Sequence, residues 1–464
     1  MSAPTVTDLF CGAGGSSLGA EAAGLELVMA ANHWQTAIEV HQAHFPNAGH
    51  DCADISQADP RRYPVTNILL ASPECTNHSQ ARGVSRKRQQ PGLWDAPDPT
   101  AERSRATMWD VVRFAEQIRY DAIVVENVVE ATKWALWPAW HAAMAALGYE
   151  HRILSHNSMH HGVAQSRDRI YVVFTRPGLR PDLELEHTAT CGACEKVRPV
   201  VQSWKNGKTV GRYRQQWVWR CTTCRAVCEP SAPAAATIID WGLDCPRIGD
   251  RARPLADKTR ARILAGLQRY GWAPIVTAGA GNTYETTPGN RARPVTAPLP
   301  VQQTTATQAL VVAMRSNGEA RPTTGPVPTV TAGGNHHGLL MRNNAGGPEM
   351  TTPLTEPART ITTAGHQSLL MPYYGTSQPQ PVDRPVPTVP TKDRFALIDP
   401  EQVVDDCGFR MLEPHEIAAA MAFPTGYIPT DLPKKTRVKL AGNAVTPPVM
   451  QWICGRLLQA LEAA

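Results

Sequence analysis

Residues 68–76 read ILLASPECT, an apolar run that ends in a serine, a proline, a glutamate and then a cysteine. Four apolar residues followed by a proline predict a short buried strand. Open α/β sheets bind their ligands beyond the carboxyl ends of their strands, so this pattern presents the Cys75 thiol where a nucleophile would be useful. A lone cysteine is more often a small buried apolar residue, and other stretches of the chain decide between these interpretations.

Three predicted strands precede this one, and each ends in residues that suit a ligand. The first leads into a glycine-rich turn at 11–19, CGAGGSSLG, where a helix start offers free amides to an anionic group. In a doubly wound sheet the three strand ends lie side by side. Phe10, Trp34 and Asp54 are therefore predicted to converge on one adenosine-sized ligand, although the turn alone is also typical of a tight βα connection.

The segment that follows Cys75, residues 76–106, is long and polar and contains the basic run SRKRQQ at 85–90. A connection of this length without apolar periodicity is either disordered or a functional lid. Its position beside a candidate nucleophile favours a lid that closes over a phosphate backbone. A solvated charged run is the alternative.

Two later strands carry further candidate residues. The apolar run at 122–125 ends in Glu126, where a buried carboxyl is either a proton donor or a structural group. Arg167 and Arg169 lie at the start of another strand, and their spacing of two predicts that they share a face.

Charge is distributed unevenly along the 464 residues. Residues 1–180 hold 16 Lys and Arg against 18 Asp and Glu, whereas residues 191–300 hold 17 against 7. A near-neutral region followed by a basic one fits a catalytic domain joined to a part that meets a polyanion, although a solvated basic face fits the charges equally well. No apolar run of about 18 residues is present, so no membrane partner is expected.

The first ten residues already read as a strand, and no secretory leader precedes them. A cytoplasmic location is therefore expected. The eleven cysteines are then expected to be reduced and available for metal binding or catalysis.

Two CxxC pairs, separated by 26 residues, mark a predicted metal site in the basic region. Paired CxxC motifs in a reduced protein are typical of a structural tetrahedral Zn²⁺, here in a zinc ribbon at about 188–230. Four thiolates leave no open coordination position, so this zinc is expected to be catalytically inert. Cys228 is a possible substitute ligand, and the four predicted ligands are Cys191, Cys194, Cys221 and Cys224.

The rest of the middle contains a predicted helix at about 251–271, followed by β-rich repeats at about 290–398 that recur every 28 to 30 residues. Such repeats suit either a surface that follows a DNA groove or a scaffold for recognition elements. The domain prediction is a catalytic and cofactor-binding domain at 1–180, a target-recognition insert at 181–400, and a C-terminal part at 401–464 that completes the first domain.

Five stretches of this chain resemble, in order, the motifs of the DNA cytosine-5 methyltransferases. They are DLFCGAGGSSLG at 8–19, the cysteine strand end at 72–76, ENV at 126–128, QSRDR at 165–169 and LAGNAVTPPVMQ at 440–451. The resemblance covers 4–180 and 405–460, and the family carries its target-recognition domain in the interval between. It implies a Rossmann-like, doubly wound mixed α/β sheet with an inserted β-rich lobe, here containing the zinc ribbon.

The resemblance also implies the chemistry. The Cys75 thiolate would add to C6 of a flipped-out cytosine in double-stranded DNA, so that C5 can accept a methyl group from S-adenosyl-L-methionine. Glu126 would hold or protonate N3, Arg169 would contact O2, and Arg167 would support the site. Such enzymes occur in restriction-modification systems, and a monomer is expected.

The family's cofactor contacts carry over to matching positions of this chain. Phe10, Gly12 and Gly14 match the cofactor loop, and Trp34 matches the residue that stacks on the adenine. The remaining matches are Asp54 and Ile55 at the adenine edge, Met108 as an apolar wall, and Asn443 and Val445 in the last cofactor motif.

Two positions depart from the family pattern. Glu74 replaces the second of two prolines before the nucleophile, so a carboxylate lies beside the thiol in sequence. His33 stands where the family has an acid that binds the cofactor ribose, and an imidazole can still bond to ribose hydroxyls. Read as marks of decay, Glu74 and His33 indicate one alternative, a catalytically decayed, sequence-specific DNA-binding protein. A second alternative, which the catalytic motifs do not exclude, is an RNA cytosine-5 methyltransferase. Retention of Cys75, Glu126 and both arginines disfavours decay, and the basic insert favours DNA.

Overall fold

The structure is a computed structural model that describes residues 3–74, 99–270, 274–279, 287, 289–301, 304, 307–313 and 404–464. For residues 99–106, and for short strands between 339 and 397, it describes the backbone alone. Cys75 and the basic part of the predicted lid lie outside the described residues.

A seven-stranded mixed sheet forms the centre of the fold, with five neighbouring parallel strands and one reversed strand next to the far edge. Its order is β3-β2-β1-β4-β5-β8-β6, and β8 alone runs antiparallel to its neighbours. The strands are β1 (Thr5–Leu9), β2 (Glu26–Ala31), β3 (Gly49–Asp51), β4 (Ile68–Ala71), β5 (Ala122–Asn127), β6 (Glu150–Asn157) and β8 (Asp168–Thr175). A two-residue strand, β7 (Gln165–Ser166), lies just before β8.

The predicted strand before Cys75 is β4, which lies between β1 and β5 with all four residues buried. Successive residues of a strand point to opposite faces, so Leu69 and Leu70 enter two different apolar clusters. Burying one leucine side chain stabilises the fold by roughly 1.5–3 kcal/mol, which explains why this run is entirely apolar.

Helices cover both faces of the sheet. The cluster that contains Leu69 includes Phe114 and Trp140, and the cluster that contains Leu70 includes Ala20 and Ile453. The first pair comes from α3 (Pro99–Ile118) and α4 (Trp137–Ala146), the second from α1 (Gly15–Ala22) and α8 (Pro447–Glu462). Helix α2 (Gln35–His44) follows β2.

Helix α3 begins earlier than the sequence analysis expected. The polar segment was predicted to extend to 106, but its last eight residues are helical. Pro99 suits the first helical position because it has no amide to satisfy there, and Ala101 and Glu102 are good helix formers.

The inserted region contains two small sheets. The first is antiparallel and consists of β9 (His187–Cys191), β10 (Lys196–Trp204) and β11 (Trp217–Cys221), in the order β11-β10-β9. Helix α5 (Asp257–Arg269) confirms the helix predicted at 251–271, and its Ile263 and Leu267 are fully buried.

The second small sheet joins the insert to the C-terminal part. Its order is β13-β12-β15-β21, with β12 (Ile275–Ala278), β13 (Arg293–Pro294), β15 (Gln308–Ala313) and β21 (Cys407–Met411). Strand β14 (Leu299–Pro300) pairs with β7 of the first region. Within the predicted repeats the structure describes the backbone of β16 (Leu339–Arg342), β17 (Thr351–Pro353), β18 (Gln367–Ser368), β19 (Leu370–Pro372) and β20 (Phe395–Leu397); most of the repeats lie outside the described residues.

The last segment adds α6 (Pro414–Ala420), α7 (Lys434–Asn443) and α8 to the first domain. A Cβ atom on Gly15 would lie 2.0 Å from the Val445 carbonyl oxygen, so the turn after β1 and the C-terminal segment touch backbone to backbone. Among the described residues, no helix has the length and apolar character needed to cross a membrane.

We predict that Gly15→Ala destabilises the protein by about 1–3 kcal/mol in urea unfolding, because the added methyl group meets backbone that cannot move aside cheaply. The matched control is Gly455→Ala in α8, where a Cβ would meet nothing within 4 Å. The control should be neutral or stabilising by up to about 1 kcal/mol, since alanine is the better helix former. Equal effects of the two substitutions would contradict this close approach.

Candidate active site

An ion pair joins Glu126 and Arg169 where β5 ends and β8 begins. Arg169 Nε lies 2.8 Å from Glu126 Oε1, and the side chains are 14% and 11% exposed. The antiparallel register pairs Asn127 with Ile170, which brings the two charged residues together. Within the described part of the chain, Oε1 accepts no aligned hydrogen bond. The positive charge of Arg169 thus compensates the Glu126 carboxylate, and Oε1 can still accept a hydrogen bond.

Arg167 takes different partners from Arg169. Its Nη2 donates to the Ala444 carbonyl at 3.1 Å and its Nη1 to the Gly442 carbonyl at 3.5 Å, and the residue is 4% exposed. These carbonyl groups lie at the end of α7, where a cation is favoured by the helix dipole. Arg167 therefore ties the start of β8 to the C-terminal segment, while Arg169 meets Glu126.

Asn127 connects the ENV stretch to the segment before Cys75. Its Nδ2 donates to the Pro73 carbonyl at 3.4 Å, and its Oδ1 accepts from the Val128 amide at 2.8 Å. The Ser72 amide also donates to the Leu9 carbonyl at 3.2 Å. The residues that follow β4 are therefore held by both neighbouring strands, β1 and β5. The sequence analysis did not select Asn127, although it follows Glu126 directly.

The glycine-rich turn lies at the carboxyl end of β1. Phe10 and Gly12 have positive φ angles of 61° and 54°, and a Cβ on Gly12 would meet nothing within 4 Å. Gly14 has φ 92°, and a Cβ there would lie 2.8 Å from the side chains of Phe45 and Tyr427. Gly14 is therefore required by packing, whereas Gly12 borders open space that a ligand can use.

The other predicted cofactor residues are distributed around this turn. Phe10, Ile55 and Met108 belong to or pack against one apolar cluster on the α3 face. Asp54 is exposed, and its Oδ1 accepts from the Ser56 amide at 3.1 Å.

Asn443 and Val445 lie on the C-terminal side of the turn. Asn443 is exposed at the end of α7, and Val445 is buried with its carbonyl oxygen against Gly15. The structure thus brings Val445 to the turn through its backbone.

Trp34 lies at the start of α2, half-buried, with a lysine over its ring. Lys439 Nζ is 3.9 Å from the ring centre, a cation–π distance. Lys439 comes from α7, and the sequence analysis did not select it, because no local signal relates residues so far apart. The ammonium group lies over the indole, and the ring also packs against an apolar cluster.

The two positions that depart from the family pattern contact each other. His33 Nε2 lies 3.9 Å from Glu74 Oε1, and the side chains are 57% and 43% exposed. An exposed pair of this kind contributes roughly 0–1 kcal/mol to stability. It links the ends of β2 and β4 on either side of β1.

The four predicted zinc ligands form one cluster. All four Sγ atoms lie within 4.8 Å of one another, including Cys191 to Cys224 at 3.4 Å and Cys194 to Cys221 at 4.0 Å. Tetrahedral zinc with Zn–S bonds of about 2.3 Å places its sulfur atoms about 3.8 Å apart. The observed spacing fits that geometry, so these residues are suited to zinc.

A buried polar chain lies beneath the glycine turn. Ser17 Oγ donates to Asp8 Oδ2 at 2.7 Å and lies 2.9 Å from His41 Nε2, while His41 Nδ1 is 2.8 Å from His50 Nε2. When Asp8 is ionised, the Ser17 proton goes to Asp8, and His41 Nε2 then donates to Ser17. Burial lowers the pKa of His41 to about 3 and raises that of Asp8 to about 7.

The family model described as C-5 cytosine-specific DNA methylase matches residues 5–263. The chain belongs to this family. The matched residues include Glu126, Arg167, Arg169 and the glycine turn. The family predicted from the five motifs is therefore confirmed, and so is the α/β fold.

Curated relatives match a smaller part of the chain. The type II methylase M.HgiEI of Herpetosiphon aurantiacus is 31% identical over 184 residues, which are 38% of this chain and 38% of that protein. The type II methyltransferase M.HhaI of Haemophilus parahaemolyticus is 28% identical over 206 residues, 39% of this chain and 58% of its own. The matches thus span well under two thirds of these relatives.

One solved structure, of a Spodoptera frugiperda DNMT2 variant, aligns with 98% of this chain and 99% of its own. The two are 14% identical with a TM-score of 0.49, a likeness that adds nothing to the family assignment.

We predict that Asp8→Asn gains stability relative to the wild type as the pH rises from about 4 to 7. The wild-type carboxyl has a folded-state pKa of about 7, above its unfolded value, so its stabilising contribution is complete below pH 4 and is lost by pH 7. Urea unfolding of both proteins across this range measures the difference, which should grow by up to about 4 kcal/mol.

The stability of Asp8→Asn must be compared with that of the wild type at each pH, because the titration of His41 changes stability with pH in the opposite direction. Its folded-state pKa is lowered, so its contribution is present above about pH 6.5 and is lost as the pH falls. Glu39→Gln, on the exposed side of α2, is the control for removing a carboxylate that is not buried. If the difference in unfolding free energy between wild type and Asp8→Asn did not change with pH, the raised pKa of Asp8 would be refuted.

Proposed function

We propose that this protein transfers a methyl group from S-adenosyl-L-methionine to C5 of a cytosine in DNA. The observation that carries the proposal is the ion pair of Glu126 and Arg169, held at the strand edge where Pro73 leads into Cys75. Family membership supports the same reaction class. The curated relatives are matched over part of their length, so the activity is proposed here for the whole chain.

Cys75 is the nucleophile in this proposal. C5 of cytosine is a poor nucleophile by itself, and addition of a thiolate to C6 makes the ring an enamine whose C5 can accept a methyl group. The C5 proton then leaves and the sulfur is expelled, which restores the aromatic ring and the thiol. A free thiol has a pKa of about 8.5, so positive charge near Cys75 would favour the reactive thiolate.

Glu126 and Arg169 act on the polar edge of the base. Glu126 holds a proton at N3, so that negative charge does not build up on the ring when the sulfur adds. Arg169 donates to O2, and Arg167 keeps the start of β8 against the end of α7. Two observations support these roles: Glu126 Oε1 accepts no aligned hydrogen bond from the described residues, and the pair is buried.

The residues around the glycine turn fit the nucleoside part of the cofactor. Gly12 borders open space, Lys439 lies over the Trp34 ring, and Asp54 and Asn443 are exposed. In the proposal Trp34 stacks on the adenine, Asp54 and Ile55 contact its edge, and Phe10, Gly14, Met108, Asn443 and Val445 complete the walls. The cofactor supplies the methyl group.

The ribose is assigned to His33. Its contact with Glu74 places a carboxylate beside the imidazole at the position where the family has an acid. The ribose hydroxyls can therefore meet both a nitrogen and an oxygen.

Double-stranded DNA is the proposed substrate. A stacked cytosine cannot reach a pocket at the edge of the sheet, so the base must leave the helix, and the basic run at 85–90 suits closure over the phosphate backbone. The basic insert is the proposed target-recognition lobe, with one structural Zn²⁺ on the four clustered cysteines.

We predict that Cys75→Ser abolishes methylation and retains DNA binding, because serine is too weak a nucleophile to add to C6. DNA that carries 5-fluorocytosine in the target sequence should form a covalent adduct with the wild type and none with the variant. The adduct is measured as a heat-stable band shift on a denaturing gel. The target is first located by bisulfite sequencing of plasmid from expressing cells.

These measurements also separate the alternatives. A wild-type protein that binds cofactor and DNA but methylates no cytosine would support the decayed DNA-binding protein and overturn the proposal. Methylation of RNA with no mark on DNA would overturn the DNA substrate.

We predict about one zinc ion per chain, measured by atomic emission on protein purified without added metal. Cys194→Ser and Cys224→Ser should lose the metal and lower the thermal midpoint, because a structural zinc stabilises the folded state that binds it. Cys52→Ser is the control, since Cys52 is exposed and lies outside the cluster. A folded wild type without metal would contradict the zinc site.

A further inference from the structure

The loop between β10 and β11, residues 205–216, lies against the end of the catalytic sheet. We call it the strap. The Gly211 amide donates to Ser155 Oγ at 3.1 Å, and the strap's Val210 packs against Ile170 and the turn after β5. Ser155 belongs to β6 and is 2% exposed. The ribbon therefore meets the first domain through buried contacts.

One contact of the strap holds the start of β8. The Tyr213 amide donates to Asp168 Oδ1 at 2.9 Å, and Asn157 Nδ2 donates to the same oxygen at 3.1 Å. Asp168 directly precedes Arg169, and its carbonyl accepts from Arg169 Nη1 at 2.8 Å. The carboxylate of Asp168 anchors the backbone to which the Arg169 guanidinium is bonded.

A second contact holds the turn that follows β5. Arg212 Nη2 donates to Glu130 Oε1 at 2.7 Å, and the Glu130 side chain is 8% exposed. Glu130 lies in the turn Val129–Lys133, which begins three residues after Glu126. A buried carboxylate that loses its cation is costly, so this turn depends on Arg212.

We infer that the strap is a positioning element of the active site. Arg212 fixes the β5 side and the Tyr213 amide fixes the β8 side, so together they set the distance at which Arg169 meets Glu126. Neither strap contact involves Glu126 or Arg169 directly. The ribbon would then contribute to catalysis through the geometry of this pair, in addition to any contact with DNA.

The charges around the strap separate this role from DNA binding. Arg214, two residues from Arg212, is 65% exposed and pairs with Glu229 inside the ribbon. Arg212 is 33% exposed and points its guanidinium to the first domain. An arginine that reads phosphates would be expected to resemble Arg214, whereas a positioning residue would be expected to resemble Arg212.

The test compares Arg212→Ala with Arg225→Ala in the full chain by hydrogen–deuterium exchange, because Arg225 is an exposed arginine of the ribbon outside the strap. In Arg212→Ala, peptides that cover 124–133 and 165–171 should exchange at least about ten-fold faster, and in Arg225→Ala they should match the wild type. Arg212→Lys keeps the charge and should restore most of the protection. Unchanged exchange in Arg212→Ala would overturn the inference, whatever the methylation result.

Kinetics give the second readout and rest on the proposed function. Arg212→Ala should lower kcat about ten-fold, equivalent to about 1.4 kcal/mol of barrier, with KM for DNA and for the cofactor unchanged within about two-fold. A rise in KM for DNA with normal kcat and normal exchange would assign Arg212 to DNA contact and overturn the inference. If the wild type shows no methylation, the proposed function fails, and the exchange result alone decides the positioning role.

If Arg212→Ala does not fold, Glu130→Leu replaces it. This variant removes both the charge and the acceptor that Arg212 meets, and it leaves no carboxylate unpaired. It should reproduce the faster exchange at 124–133 and the lower kcat. Wild-type exchange in Glu130→Leu would overturn the inference.

Discussion

The reversed direction of β8 is the constraint on which the candidate site depends. Five neighbouring strands run parallel and present their carboxyl ends at one edge, and β8 brings its amino end to that same edge because it is antiparallel to β5. Eight residues at about 3.3 Å each give β8 a length of about 26 Å. In a parallel orientation Arg169 would therefore lie at the opposite edge of the sheet, far from Glu126.

The C-terminal segment connects the two halves of this edge. Arg167 bonds to the carbonyl groups of Gly442 and Ala444, and the next carbonyl group, of Val445, lies against Gly15 at the start of α1. One short backbone stretch thus touches both the start of β8 and the glycine turn. The position of β8 and that of the glycine turn are therefore both fixed against the same short stretch of backbone.

Sequence reasoning succeeded where local pattern determines the outcome. The strand before Cys75, the helix at 251–271 and the clustered cysteines follow from apolar runs, helical spacing and CxxC motifs, and the ordered motifs identified the family. The position of β8 between β5 and β6 could not be read in this way. Strand order depends on which strands pair, and the apolar residues of β6 and β8 would be buried equally well if β6 lay beside β5 instead of β8.

Contacts between distant segments were missed for the same physical reason. Lys439 contacts Trp34 and Arg212 contacts Glu130, and in the sequence both basic residues look like ordinary solvated charges. A lysine at a helix surface or an arginine in a hairpin loop has no local feature that names its partner. Asn127 is different, because its place directly after Glu126 at the end of β5 is a local signal that the sequence does contain.

The buried pair of Glu126 and Arg169 explains why so many contacts surround it. Desolvation of two charges offsets most of their attraction, so such a pair gives the fold little stability compared with apolar residues of the same size. The pair by itself has no preference for the observed geometry, in which Oε1 accepts no aligned hydrogen bond from any residue that the structure describes. That geometry must be imposed from outside. Asp168 holds Arg169 through its carbonyl, and Asn127 fixes the strand end beside Glu126 against Pro73. The stability of these surrounding hydrogen bonds maintains an arrangement that the two charges alone would relax.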